Sequence, residues 1–157
     1  MNMARLSAYE KMILRAERKG ILIDQNHVSE KIPAAALRIN GEDVGIFIDE
    51  RFYETDTRRR LAFAHELAHC ETESFYTEAT PVTKKLKSEY KANKRTVSML
   101  VPFNLYKSAI LKGILTEWEQ AEYWNIPVDY VSTVHAIYER TRSDDVLQLK
   151  MMAEGKE

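Results

Sequence analysis

Residues His65-Glu66-Leu67-Ala68-His69 read H-E-x-x-H, and they constrain the fold more than any other stretch. Two histidines four positions apart project from one face of an α-helix, about 6 Å apart along its axis. The chain must hold this segment helical, with one face turned to open space and the other to a core. Two neutral imidazole nitrogens so placed can share one Zn2+. A catalytic zinc site takes three protein ligands and leaves the fourth position to water. Glu66 lies about 100° round the helix from His65, beside such an ion rather than on it. There its carboxylate can take a proton from the water.

The flanks support the helix. Thr55 or Thr57 can cap it, and Asp56 sits at its positive end. Phe63, Leu67 and Cys70 fall on the side away from the histidines and read as core, Cys70 as a buried structural thiol. Ala62, Ala64 and Ala68 flank the ligand side and leave room for a substrate. The Arg58-Arg59-Arg60 triplet reads as a solvated face.

The third ligand should be an acid. Glu73 follows His69 by four residues but stands about 12 Å along the axis from His65, too far to converge on one ion. Glu71 points elsewhere on the same helix. Glu78 falls in the following loop and stays a candidate. Glu89 is the better one, on a helix predicted from Lys84 to Val101 and stopped by Pro102. Glu89, Asn93, Thr96, Val97 and Leu100 form one inward stripe. Asn93, one turn after Glu89, can accept a hydrogen bond from the distal N–H of a ligating histidine. The bland alternative for Glu89 is one more charge on a helix rich in lysine.

Around this pair the sequence predicts a small α+β architecture. Leu6, Tyr9, Ile13 and Leu14 mark a leading helix ended by Gly20. Ile21–Ile23 is a short apolar run, and Val28–Ile32 a second small element closed by Pro33. Ala36–Ile39 and Val44–Ile48 flank Asn40-Gly41-Glu42-Asp43, a β-hairpin signal. The edge of that sheet could accept an extended peptide as an added strand.

With both helices placed, the sequence resembles the ImmA/IrrE family of gluzincin-like metallopeptidases. The matching segments are His65-Glu66-Leu67-Ala68-His69, then Glu89-Tyr90-Lys91-Ala92-Asn93, closing with Met99-Leu100-Val101-Pro102. The similarity also takes in the leading helix, the Gly20-Ile21 step and the hairpin, roughly residues 6 to 102. Ala68 stands where the family usually has glycine, and Arg95-Thr96 where Phe-Ala is common. The resemblance implies one Zn2+ per chain on His65, His69 and Glu89, with Glu66 as catalytic base. It also implies a protein substrate, a DNA-binding helix-turn-helix repressor of a phage or mobile element, whose cleavage derepresses genes.

The C-terminal third predicts helices at Leu105–Gly113, Thr116–Trp124 and Val128–Thr141. Two of them with a short break outline a helix-turn-helix. Glu117, Glu119, Glu122 and Asp129 make that region too acidic for phosphate, so it reads as a packing or substrate-docking subdomain. From Ser143 a charged tail with Met151-Met152 is expected to be flexible. His135, Tyr76 and Tyr90 are candidate donors to an oxyanion, each with a plain packing role as the alternative.

Composition narrows the class. A chain of 157 residues is expected to form one domain, with a catalytic core over 1–102 and a helical subdomain over 103–142. The formal net charge of −1 supplies no global field for nucleic acid or anionic lipid. Cys70 is the single cysteine, which excludes an internal disulfide and suits a reducing compartment. No apolar run approaches about 18 residues, and residues 1–19 lack the core of a signal peptide, so a cytoplasmic protein is expected. The expectation is a zincin-like α+β zinc endopeptidase: a small antiparallel sheet, two metal-bearing helices and a helical end. The competing class is a non-catalytic, zinc-stabilised regulator that binds a repressor or DNA through its C-terminal helices.

Overall fold

A computed structural model describes residues 5–26 and 31–155. They form an α+β arrangement that divides into two compact units, Met1–Thr96 and Val97–Glu157. The division falls inside a long helix rather than at Pro102.

In the first unit, helix α1 (Ala8–Arg18) starts at a reciprocal capping box between Ser7 and Glu10. It buries Tyr9, Met12, Ile13 and Ala16 and ends before Gly20, which takes φ +80°. Three strands follow: β1 (Leu22–Asp24), β2 (Ala34–Asn40) and β3 (Asp43–Ile48). β2 and β3 form the expected hairpin, with Gly41 in its turn at φ +44°. The sheet order is β1-β3-β2, and β1 pairs parallel to β3. The sheet is therefore mixed, not antiparallel as expected. The hairpin leaves β3 one free edge, and β1, entering from α1, fills it running the same way. Apolar patterning reports which residues are buried and says nothing of strand direction. Of the small element expected over residues 28–32, residues 28–30 lie outside the described residues. A Cβ at Gly45 in β3 would stand 2.9 Å from Ile39 Cδ1, which can move aside, and 3.3 Å from the Leu22 carbonyl oxygen of β1.

Helix α2 (Asp56–Thr72) carries the motif. Thr55 is its cap, accepting from the Arg58 N–H at 3.2 Å. α2 packs on α1, β2 and β3. Phe63 and Leu67 are wholly buried, and Phe63 meets Tyr9 edge-to-face with ring centroids 6.0 Å apart. Ala64 and Ala68 are wholly buried as well. Their small size serves close helix packing, not the substrate space expected of them. Cys70 is half-buried, and burial together with Glu66 and Glu71 pushes its thiol up to about 12, which keeps it an unreactive thiol.

Helix α3 (Val82–Leu100) begins two residues earlier than expected. Glu71 of α2 accepts from Lys19, just after α1, and from Arg95 of α3 at 2.6 Å, so one carboxylate ties three elements together.

The second unit is helical: α4 (Phe103–Leu111), α5 (Glu117–Trp124), α6 (Val131–Thr141) and α7 (Ser143–Ala153). Tyr106 lies at its centre, stacked on Trp124 and Phe103 and tilted against Tyr138. Thr116 caps α5 through a capping box with Glu119, and Asn125 ends it in the left-handed region. The segment expected as a flexible tail is α7. Val146 and Leu149, three residues apart, bury one face of it, and that short stripe outweighs the surrounding charge. Among the described residues, no helix is long and apolar enough to cross a membrane.

Phe63 joins α1 to the motif helix, so Phe63→Ala should lower stability by about 3–5 kcal/mol. Chemical denaturation followed by circular dichroism checks this; a loss under about 1 kcal/mol would remove Phe63 from the core of this unit.

Candidate metal centre

α2 and α3 bring His65, His69 and Glu89 together. The two imidazole centroids are 4.8 Å apart with their planes nearly perpendicular. His65 Nε2 lies 2.9 Å from Glu89 Oε2, and His69 Nε2 lies 3.1 Å from Glu89 Oε1. One ligand atom from each of the three residues fits within 4.8 Å of the others. Tetrahedral zinc with bonds of about 2.0–2.1 Å spaces its ligand atoms roughly 3.3 Å apart, so the donors are already gathered at that scale. This is the one such group among the described residues.

The other acids are committed elsewhere. Glu71 serves its three-element ion cluster. Glu73 caps α2 in the left-handed region and reaches toward Arg38. Glu78 lines the neighbouring cleft, where its backbone carbonyl accepts from Lys85 Nζ, but it is not in the cluster.

Protonation makes the cluster informative. Glu73, at φ +51° and ψ +36°, turns the chain back after α2. The Ser74 N–H then donates to the His69 carbonyl at 3.1 Å. The Ser74 carbonyl in turn lies 2.8 Å from His69 Nδ1, with the Ser74 hydroxyl at 3.1 Å. A carbonyl only accepts, so Nδ1 carries the proton. In neutral His69 that leaves the Nε2 lone pair facing a carboxylate oxygen. Two acceptors 3.1 Å apart repel unless a proton or a metal cation lies between them. Burial holds His65 below its ordinary value, with Glu89 opposing and His69 adding to the shift, which favours its neutral form too. Burial alone would raise Glu89, but the Tyr76 hydroxyl and the two histidines outweigh it and hold the carboxyl below its usual range. Two imidazoles around a carboxylate held below its usual range are a group that could hold a metal ion.

The partner of the distal His69 nitrogen is therefore Ser74, which the chain reversal at the end of α2 brings into reach.

Glu66 stands beside the cluster in a cleft of about 470 Å3. Ala34, Ala35 and Ala36 line one wall, and Phe75, Tyr76 and Lys85 line part of the other. β2 is an outer strand of the sheet. The Asp49 N–H donates to the Pro33 carbonyl, and with the Ala35–Phe47 register this turns Ala35 toward β3. The backbone groups of Ala34 and Ala36 consequently point to the open edge. The Ala36 N–H hydrogen-bonds to Glu66. Burial is the main reason that the Glu66 carboxyl rises to about 7; nearby Glu89 adds to the rise, while His69 and the Ala36 N–H oppose it.

The three candidate oxyanion donors part company. Tyr76 belongs to the site: its hydroxyl donates to Glu89 Oε1 at 2.7 Å, and its ring meets His69 edge-on. Tyr90 does not line the cleft; the Lys94 ammonium lies 5.9 Å from its ring centre. His135 is held within the second unit. Gln120 gives its amide N–H to the Ile114 carbonyl, so its oxygen accepts from His135 Nε2 at 2.7 Å. The Tyr106 hydroxyl then donates to Nδ1 at 2.9 Å. Both ring nitrogens are satisfied by packing partners, which leaves none for an oxyanion.

Sequence reasoning passes over Ser74 and the Ala36 N–H. The signal for Ser74 is its position five residues past His69 at a helix end. The Ala36 amide carries none, since every residue type offers the same group.

Comparison of the chain with protein-family models, curated proteins and solved structures finds no match.

Glu89→Ala should abolish stoichiometric zinc binding, whereas Glu78→Ala should keep about one zinc per chain, consistent with a three-ligand site. Elemental analysis of the purified variants decides between them; loss in Glu78→Ala alone would reassign the third ligand. In the metal-free protein the raised Glu66 carboxyl binds its proton more tightly folded than unfolded. Its contribution to stability should therefore decline between pH 4.5 and about 7 and stay level above. Metal-free Glu66→Gln should lack that decline and be more stable than wild type at pH 8, the difference vanishing toward pH 4.5 in thermal melts.

Proposed function

We propose that the chain is a zinc-dependent endopeptidase with a zincin-like active site. The observation that carries this reading is the convergence of ligand atoms from His65, His69 and Glu89 within 4.8 Å of one another, with Glu66 in the adjoining cleft. His65, His69 and Glu89 would hold the ion. Bound Zn2+ would supply Lewis acidity toward a peptide carbonyl and the attacking water.

The chain's own groups do the rest. Glu66 accepts the proton of the water as its oxygen bonds to the carbonyl carbon. It returns that proton to the amine nitrogen as the C–N bond breaks. Burial raises the Glu66 carboxyl from its ordinary value in the metal-free protein, the direction that helps it to return a proton. The Ala36 N–H aims the carboxylate. The open edge of β2 offers the backbone groups of Ala34 and the Ala36 carbonyl to an extended peptide, and three successive alanines leave space for its side chains.

The similarity of the two helix motifs to ImmA/IrrE proteins supplies the substrate class, a DNA-binding repressor in the cytoplasm. The second unit is assigned to docking that substrate, since its acidic helices disfavour phosphate.

Glu66→Gln should retain zinc and lose cleavage by about 100-fold or more. A peptide library digested with zinc-loaded protein, its cut sites read by mass spectrometry, provides the assay. Undiminished cleavage by the zinc-loaded variant would overturn the mechanism.

A further inference from the structure

We infer that Tyr76 is a positioning residue of the metal centre, its hydroxyl fixing the rotation of the Glu89 carboxylate. The inference rests on the metal reading of the His65–His69–Glu89 cluster. A carboxylate on a helix can present one oxygen or two, and its end rotates freely unless something holds it. Here the Tyr76 O–H donates to Oε1 at 2.7 Å, while Oε2 lies 2.9 Å from His65 Nε2. Oε1 also lies 3.1 Å from His69 Nε2, so the hydroxyl pins the carboxylate in the rotation that turns one oxygen to each imidazole.

Tyr76 is itself held from several sides. Its ring packs edge-on to His69 at 5.9 Å, and the Lys85 ammonium lies 6.0 Å from the ring centre. Two residues earlier, the Ser74 carbonyl takes the Nδ1 proton of His69, and just after it the Thr77 N–H donates to Thr80 Oγ1. One loop between α2 and α3 thus orients a ligand on each helix: Ser74 sets the protonation of His69, and Tyr76 sets the rotation of Glu89. Partners of this kind raise metal affinity, and their loss typically costs 10–100-fold.

The hydroxyl can be separated from the ring. Co2+ reports on the site by its visible absorption, which is intense for four ligands and weaker for five or six. Wild type, Tyr76→Phe and Tyr76→Leu are titrated with Co2+ after their folding is matched by circular dichroism. Tyr76→Phe should bind Co2+ about 10–100-fold more weakly and absorb less strongly at saturation, as the released carboxylate offers both oxygens. Tyr76→Leu should behave like Tyr76→Phe. Affinity within twofold of wild type in Tyr76→Phe, with a superimposable spectrum, would overturn the assignment. So would weak binding confined to Tyr76→Leu, which would credit the ring instead. Wild type that takes up no Co2+ would overturn the metal reading itself, an outcome distinct from the other two.

Discussion

The centre depends on one hydrogen bond that contains no ligand atom, from His69 Nδ1 to the Ser74 carbonyl. It puts a proton on Nδ1 and leaves Nε2 facing Glu89 Oε1 at 3.1 Å, a spacing at which a proton or a metal cation lies between them. The bond exists because Glu73 accepts a left-handed conformation that costs a non-glycine residue about 1–2 kcal/mol. The Ser74 N–H on the His69 carbonyl and the paired hydroxyls of Thr72 and Ser74 help to offset that cost.

The surrounding unit serves to hold two helices at the separation that this chemistry needs. Phe63, Ala64, Leu67 and Ala68 press the motif helix onto its neighbours, and the alanines permit close approach. Glu71, with Lys19 and Arg95, ties the ends of α1 and α2 to α3. The same burial that rigidifies the site also tunes it. Desolvation raises Glu66 and lowers His65, so the acid keeps its proton to higher pH while the imidazole gives its proton up earlier. Both shifts run in the direction that proton transfer and metal binding require.

Legibility in the sequence followed the range of the interaction. The helix over residues 65–69, a threonine cap at its start, the Asn-Gly hairpin and the helix after Thr116 are encoded within a few residues, and each forms in place. Glu89 was legible by a longer chain of reasoning, since an inward stripe on a second helix gives it a face but not a partner. The parallel pairing of β1, the α7 helix and the full burial of Ala64 and Ala68 were not, because each depends on what packs against it. His135 shows the limit of choosing partners by residue type alone: its ring nitrogens bond to the groups that reach them first, and these lie in its own unit.

The sequence by itself determined the donor types, their helical spacing and the position of Glu66 beside them, because these follow from backbone periodicity and side-chain chemistry. Only the tertiary structure decided that Glu89 rather than Glu78 joins the histidines, that Ser74 orients His69, and that the Ala36 N–H reaches Glu66. Those are contacts between residues distant in sequence or across a chain reversal. Their geometry is set by packing of whole elements, which no local pattern of residues records.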